Sequence, residues 1–295
     1  MKGILFTGLL LGLTLTTAQA KVRVVTTLSD FAAIAREVGG ELVEVDALTD
    51  GRRNPHYLEV LPSYMLKVKK ADVFFWAGLD LEPWAGSVVD GARNKDLVRV
   101  DMSRGIDLME VPTAKVDRSQ GDIHVSGNPH YWLDPANGLI IAETITDALT
   151  RADPAHADDY GAGLASFRAH LSERIAVWKE MMEPYAGTGV VYFHNSWPYF
   201  NRAFGLETVA FIEPKPGVDP SPGHTAKVVS LMKERGVRVI VMEPYFSSKT
   251  PESLAQATGA RVVTLAGSVG GIERTDDYVS LFETNLRLLE EALGP

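Results

Sequence analysis

The chain has 295 residues, a formal charge of −9 and no cysteine. An acidic balance without a basic run excludes the electrostatic footprint of a nucleic-acid or anionic-lipid binder. The missing cysteine excludes a disulfide framework, a thiolate metal site and a lipid anchor on an N-terminal cysteine.

Residues 1–20 read as an export signal. Lys2 gives the positive start, Ile4 to Leu15 the apolar centre, and Ala18-Gln19-Ala20 the small-x-small cleavage site. No other stretch has the length of a membrane span. Cleavage leaves 275 residues from Lys21 and moves the charge to −10, because it removes Lys2 and no acid. An exported protein without disulfides fits a bacterial periplasm.

From Lys21 the pattern alternates strand and helix. Val22 to Val25 is a β-branched run. Asp30 is placed to cap a helix whose Phe31, Ile34, Ala35 and Val38 fall at helical spacing and which Gly39-Gly40 ends. Leu42–Leu48, Val73–Trp76 and Leu97–Val100 read as strands, and Pro62–Lys70 as a helix. After Pro135 a helix runs from about Gly138 to Arg151. A longer one follows from about Ala155 to Met182, with Leu164, Phe167, Leu171, Ile175 and Trp178 three or four apart. At about 1.5 Å per residue it spans ~40 Å, the width of a domain, although Gly161 and Gly163 weaken its first turns. Strands at Val190–Phe193, Val209–Ile212, Val237–Met242 and Arg261–Leu265 follow, with helices from about Pro222, Pro251 and Thr275. The expectation is an α/β protein of two Rossmann-like lobes with parallel sheets. Residues 21–153 form the first lobe, 154–186 a rigid linker helix and 187–295 the second lobe, with a site in the crevice between them.

Three of the seven histidines stand out. Asn54-Pro55-His56-Tyr57 recurs letter for letter as Asn128-Pro129-His130-Tyr131, and His194 ends the strand Val190–Phe193. Proline fixes its own φ and restricts the residue before it, so both Asn-Pro-His segments present an imidazole from a stiff backbone. Imidazole suits Zn²⁺ and related divalent ions. Asp134 has two roles open to it: acceptor for the ring N–H of a ligand, or helix N-cap before Pro135. Tyr131 and Trp132 are expected to pack around the site or in the core.

These segments resemble the zinc/manganese class of periplasmic receptors for ABC importers, the cluster A-I solute-binding proteins. The resemblance covers nearly the whole exported chain. It rests on Val25-Thr26-Thr27-Leu28-Ser29-Asp30, Gly40–Leu48, Asn54-Pro55-His56-Tyr57-Leu58-Glu59 and Gly78-Leu79-Asp80-Leu81-Glu82-Pro83-Trp84. Pro129-His130-Tyr131-Trp132-Leu133-Asp134-Pro135, Phe193-His194-Asn195-Ser196-Trp197 and Glu243-Pro244 complete it. It implies two lobes bridged by a rigid helix, one divalent cation held by His56, His130 and His194, and a monomer that serves an inner-membrane ABC permease. A histidine at the third position is typical of the zinc receptors, where manganese receptors tend to carry glutamate. An all-nitrogen set also favours Zn²⁺ over Mn²⁺ on chemical grounds.

Two departures from the family pattern stand out. The family's fourth ligand is usually an aspartate, and its position here is Ala266; water, His224, Glu243 or Asp276 is left to fill it. The segment Val116–Gly127, long and histidine-rich in many zinc receptors, is short and holds only His124, either a solvated loop residue or an auxiliary metal group. Three histidines and a water would also suit a zinc hydrolase, but there is no His-Glu-x-x-His pair and no glutamate obviously placed as general base, Glu59 and Glu243 being the ones left open. A metal chaperone or adhesin without an importer is a third reading that the residues do not separate from the first.

Overall fold

The computed structural model describes residues 20–112 and 124–294. All but Ala20 of the expected export signal, and most of the segment 116–127, lie outside the described residues. Two four-stranded sheets form the frame, and every strand pairing in them is parallel. The first contains β1 (Val22–Thr26), β2 (Val43–Ala47), β3 (Val73–Trp76) and β4 (Val98–Asp101) in the order β2-β1-β3-β4. The second contains β5 (Gly189–Tyr192), β6 (Glu207–Phe211), β7 (Val239–Met242) and β8 (Arg261–Thr264) in the order β6-β5-β7-β8. The two lobes therefore share one winding. In each, the chain leaves the first strand on one side and returns to its other side. This switch of direction opens a crevice at the carboxyl ends of the strands.

Helices cover both sheets, so the central strands are apolar on both faces. Val239, Ile240, Val241 and Met242 of β7 are all buried. The helices are α1 (Ser29–Gly39), α2 (Pro62–Lys70), α3 (Ala85–Ala92), α4 (Pro135–Ala152), α5 (Ala157–Met182), α6 (Pro198–Phe204), α7 (Pro222–Arg235), α8 (Lys249–Thr258) and α9 (Tyr278–Leu293). None of the described helices is long and apolar enough to cross a membrane.

The long helix of the sequence reading is α5, flanked by 3₁₀ turns at Pro154–His156 and Glu183–Tyr185. Phe167, Leu171 and Trp178 bury one stripe of it, and it packs on α1 and α4 of the first lobe and on α6 and α9 of the second. Its two early glycines differ. A Cβ on Gly161 meets nothing, whereas a Cβ on Gly163 lies among the backbone atoms of Val38 at the crossing with α1, where the carbon of the Val38 carbonyl is 2.9 Å away. Gly163 is thus required by close packing. Gly161→Ala is expected to raise stability by about 0.8–1 kcal/mol through helix propensity alone. Gly163→Ala should lower it despite the same propensity gain. Chemical denaturation of the two variants checks the opposite signs.

One local reading is corrected. Asp30 does not cap α1: the N-cap is Leu28, without a side-chain bond, and Asp30 sits buried in the first turn. Its Oδ1 instead accepts the Val269 N–H of the second lobe at 3.1 Å, beside Ser29 Oγ, which donates to the Val269 carbonyl at 2.7 Å. Trp132 Nε1 donates to the Gly267 carbonyl at 2.8 Å, and the Tyr278 hydroxyl donates to the Trp132 carbonyl at 2.6 Å. The loop after β8 is therefore fastened to the first lobe at several points.

Candidate metal centre

Both Asn-Pro-His segments fold in the same way, and the asparagine is the reason. Asn54 Oδ1 accepts the His56 N–H, and Asn128 Oδ1 accepts the His130 N–H, each at 3.0 Å. Each is an Asx turn, in which the side chain imitates a backbone carbonyl and the proline between stiffens the bend. Trp84 Nε1 holds the Pro55 carbonyl at 2.8 Å and so ties the first turn to the Gly78–Trp84 segment. The matching tyrosines differ in role. Tyr57 is 58% exposed, while Tyr131 is fully buried and donates to the Ala77 carbonyl at 2.8 Å. Only Asn-Pro-His of the repeat is a shared device.

His56 arrives from the loop after β2, His130 from the region after β4, and His194 two residues past the end of β5. All three are buried, and one ring nitrogen from each lies within 4.8 Å of the others. The remaining nitrogens are occupied. Nδ1 of His130 is 3.0 Å from Asn128 Oδ1, an oxygen that can only accept, so Nδ1 carries the proton and Nε2 the lone pair. Nδ1 of His194 is 2.7 Å from Glu213 Oε2, which fixes the same tautomer. His56 is hydrogen-bonded to the backbone of Leu81.

Nε2 of His56 and Nε2 of His130 stand 3.2 Å apart. Two nitrogens on one tetrahedral ion with metal–nitrogen bonds of about 2.0–2.1 Å are separated by roughly 3.3 Å. The pair is already spaced for a shared cation. Burial, reinforced by the neighbouring histidines, holds both imidazoles well below their ordinary pKa, so they are neutral, ligand-competent bases at pH 7.

Asn128 uses its whole hydrogen-bonding capacity here. Its Oδ1 takes both N–H groups of His130, and its Nδ2 donates to Glu110 Oε2 and to the Asn195 carbonyl, both at 2.9 Å. Asn195 Nδ2 also donates to Glu110, at 2.7 Å, so this network joins the His130 turn to the His194 turn. Beside the histidines lies a cavity of about 290 Å³, lined by Glu110, His124, Asn195, Glu213 and Lys215 among others.

The remaining candidates are placed as follows. Asp134 caps α4, accepting the Ala136 N–H at 2.9 Å, and pairs with Arg202 at 3.1 Å. His224 lies in the first turn of α7, its Nε2 3.0 Å from the Phe211 carbonyl. Glu243 is fully buried and accepts Trp197 Nε1 at 3.0 Å; burial raises its pKa against the pull of His194. Ala266 is enclosed, with its N–H and carbonyl both bonded to the Asn285 side chain. Trp132 packs 5.4 Å from the His130 ring. Glu213 escaped the sequence reading, although Glu213-Pro214 follows β6 as Glu243-Pro244 follows β7, at the same carboxyl edge that delivers His194.

A two-lobed α/β frame with a buried cluster of imidazole donors between the lobes defines a solute-binding protein whose solute is a cation. The profile of the zinc-uptake complex component A periplasmic family, ZnuA, matches residues 24–292, and the chain belongs to that family. Among curated relatives, the manganese-binding lipoprotein MntA of Halalkalibacterium halodurans is 28% identical over 90% of this chain and 86% of its own. The high-affinity zinc uptake system protein ZnuA of Bacillus subtilis is 25% identical over 92% and 88%. A crystal structure of ZnuA superposes with a TM-score of 0.79 at 26% identity, covering 93% of this chain and 99% of the other. The family is one of metal-binding substrate receptors of ABC transporters and not of enzymes, which removes the hydrolase reading.

Proposed function

We propose that the protein captures a divalent transition-metal ion in the periplasm, Zn²⁺ by preference, and as a monomer presents it to an ABC permease of the inner membrane. The observation that carries this reading is the convergence of His56, His130 and His194, each with its other nitrogen engaged, so that three lone pairs face one point. Borderline nitrogen donors favour Zn²⁺, while Mn²⁺ prefers carboxylate and carbonyl oxygen. The relatives named for zinc and for manganese make that choice the one to test.

The test is competitive titration of the metal-free protein with Zn²⁺ and Mn²⁺, with bound metal counted after gel filtration. One equivalent of Zn²⁺, held against excess Mn²⁺, is the expected result. Retention of Mn²⁺ in preference to Zn²⁺ would overturn the specificity. Failure to retain any divalent ion would overturn the function.

A further inference from the structure

The three-imidazole cluster leaves a chemical gap. Zn²⁺ in a closed site takes four ligands, and Ala266 offers none. We propose that His124 supplies the fourth ligand, completing an all-imidazole site; this rests on the reading of the protein as a divalent-metal receptor.

Ring spacing carries the argument. Two imidazoles on one tetrahedral ion, at metal–nitrogen distances of about 2.0–2.1 Å, have centroids roughly 5.2 Å apart. His56–His130, His56–His194 and His130–His194 lie at 5.2, 5.4 and 5.5 Å. His124 continues the series: it is 5.1 Å from the His56 ring and 6.3 Å from the His130 ring. Of the three spacings a fourth ligand needs, that to His56 already matches and that to His130 is about 1 Å too long. Joining the 4.8 Å group of the other three donors, His194 included, takes a χ1 and χ2 adjustment of this half-buried side chain. His124 also lines the same cavity as His130 and His194, so its ring borders the open side of the cluster.

The competing groups are less well placed. His224 is engaged by the Phe211 carbonyl, and Glu243 accepts Trp197 Nε1 through Oε1. Although the buried Oε2 of Glu243 has no hydrogen-bond partner among the described residues, Glu243 is not part of the cavity wall that His124 shares with His130 and His194. Charge is balanced from behind the ligands. Four neutral imidazoles leave the ion's two positive charges uncompensated, but the Glu213 carboxylate lies 2.7 Å behind His194, and Glu110 lies on the same cavity wall. A site built in this way rejects hard, oxygen-seeking ions more strongly than one with a carboxylate ligand.

Because the chain has no cysteine, a single introduced thiol reports its own position. Full-length His124→Cys loaded with one equivalent of Co²⁺ is expected to show a near-ultraviolet thiolate-to-cobalt charge-transfer band. Val125→Cys, whose parent residue is 55% exposed next door, should bind Co²⁺ without the band. In parallel, His124→Ala should weaken Zn²⁺ binding by more than the 10–100-fold that loss of an outer supporting partner brings. If His124→Cys binds Co²⁺ with no charge-transfer band, or His124→Ala keeps wild-type zinc affinity, the proposal is wrong and the receptor reading stands. If the wild-type protein binds neither Co²⁺ nor Zn²⁺, the receptor reading fails, and the proposal with it.

Discussion

Alanine at His130 is expected to reduce zinc affinity at least a hundredfold. Metal binding at four-ligand structural zinc sites totals about 10–16 kcal/mol, so an even share is roughly 3 kcal/mol per ligand. His130 exceeds an even share for a structural reason. It shares the 3.2 Å nitrogen pair with His56, and it anchors the Asn128 network that joins the His130 turn to the His194 turn. Calorimetric titration in a zinc-buffered solution reads the affinity directly. Thermal unfolding reads it again, because a ligand at a hundred times its Kd adds about 2.7 kcal/mol of stability, and a hundredfold loss of affinity removes most of that. Glu213→Gln provides the graded comparison. The amide can present either its oxygen or its NH₂ to Nδ1 of His194, so the tautomer is no longer imposed, and the expected loss is about 10–100-fold. Equal losses in the two variants would mean that His130 acts by holding the fold and not by touching metal. An unchanged affinity in His130→Ala would place the metal elsewhere.

The parts of this site that could be read from the sequence are those whose causes are local. The Asn-Pro-His turns are self-contained, since the asparagine side chain reaches only two residues along, and they were visible as a repeated tetrapeptide. The alternation of β-branched strands with helical spacing was equally local, and each of the eight strands lies where an apolar run had placed it. Two short helices left no such trace. α3 (Ala85–Ala92) contains two glycines and few large apolar residues, and α6 (Pro198–Phe204) has only seven residues, too few for a period to show. Asp30 failed as a cap because its partner, the Val269 N–H, is 239 residues away. Asp134 could be weighed only as cap or ring acceptor, and its role depends on α4 and on Arg202, 68 residues on. Glu213 likewise gains its meaning from His194 across neighbouring strands. Local chemistry nominated the imidazoles. The long-range bonds that decide which ring nitrogen points inward appear only in the fold.

Asp30 carries the second large effect. Burial pushes its carboxyl up from 3.8 to about 7, against hydrogen bonds from Ser268 and the Val269 N–H that favour the charged form. Below about pH 4 the group is protonated in both the folded and unfolded states and costs the fold nothing. As pH rises from about 4 to 7, the unfolded chain releases a proton that the folded chain retains, so stability falls; beyond the folded pKa the loss is complete. The size of the loss is on the order of 4 kcal/mol. Asp30→Asn keeps an oxygen for the Val269 N–H and removes the titration. Denaturant unfolding of metal-free wild type and variant is therefore expected to diverge with pH: the variant gains relative stability from pH 4 to about 7, and the gap then stays constant. Taking the difference is necessary because other buried groups titrate over the same range. Glu82 is also raised to about 7, whereas His56 and His130 are lowered and contribute stability that is lost as pH falls. These contributions are common to both proteins and cancel. A gap independent of pH would show that Asp30 ionises normally in the fold, and hence that water reaches the seam between α1 and the loop after β8. In that case the fastening of the two lobes at Val269 would be looser than the 3.1 Å bond implies.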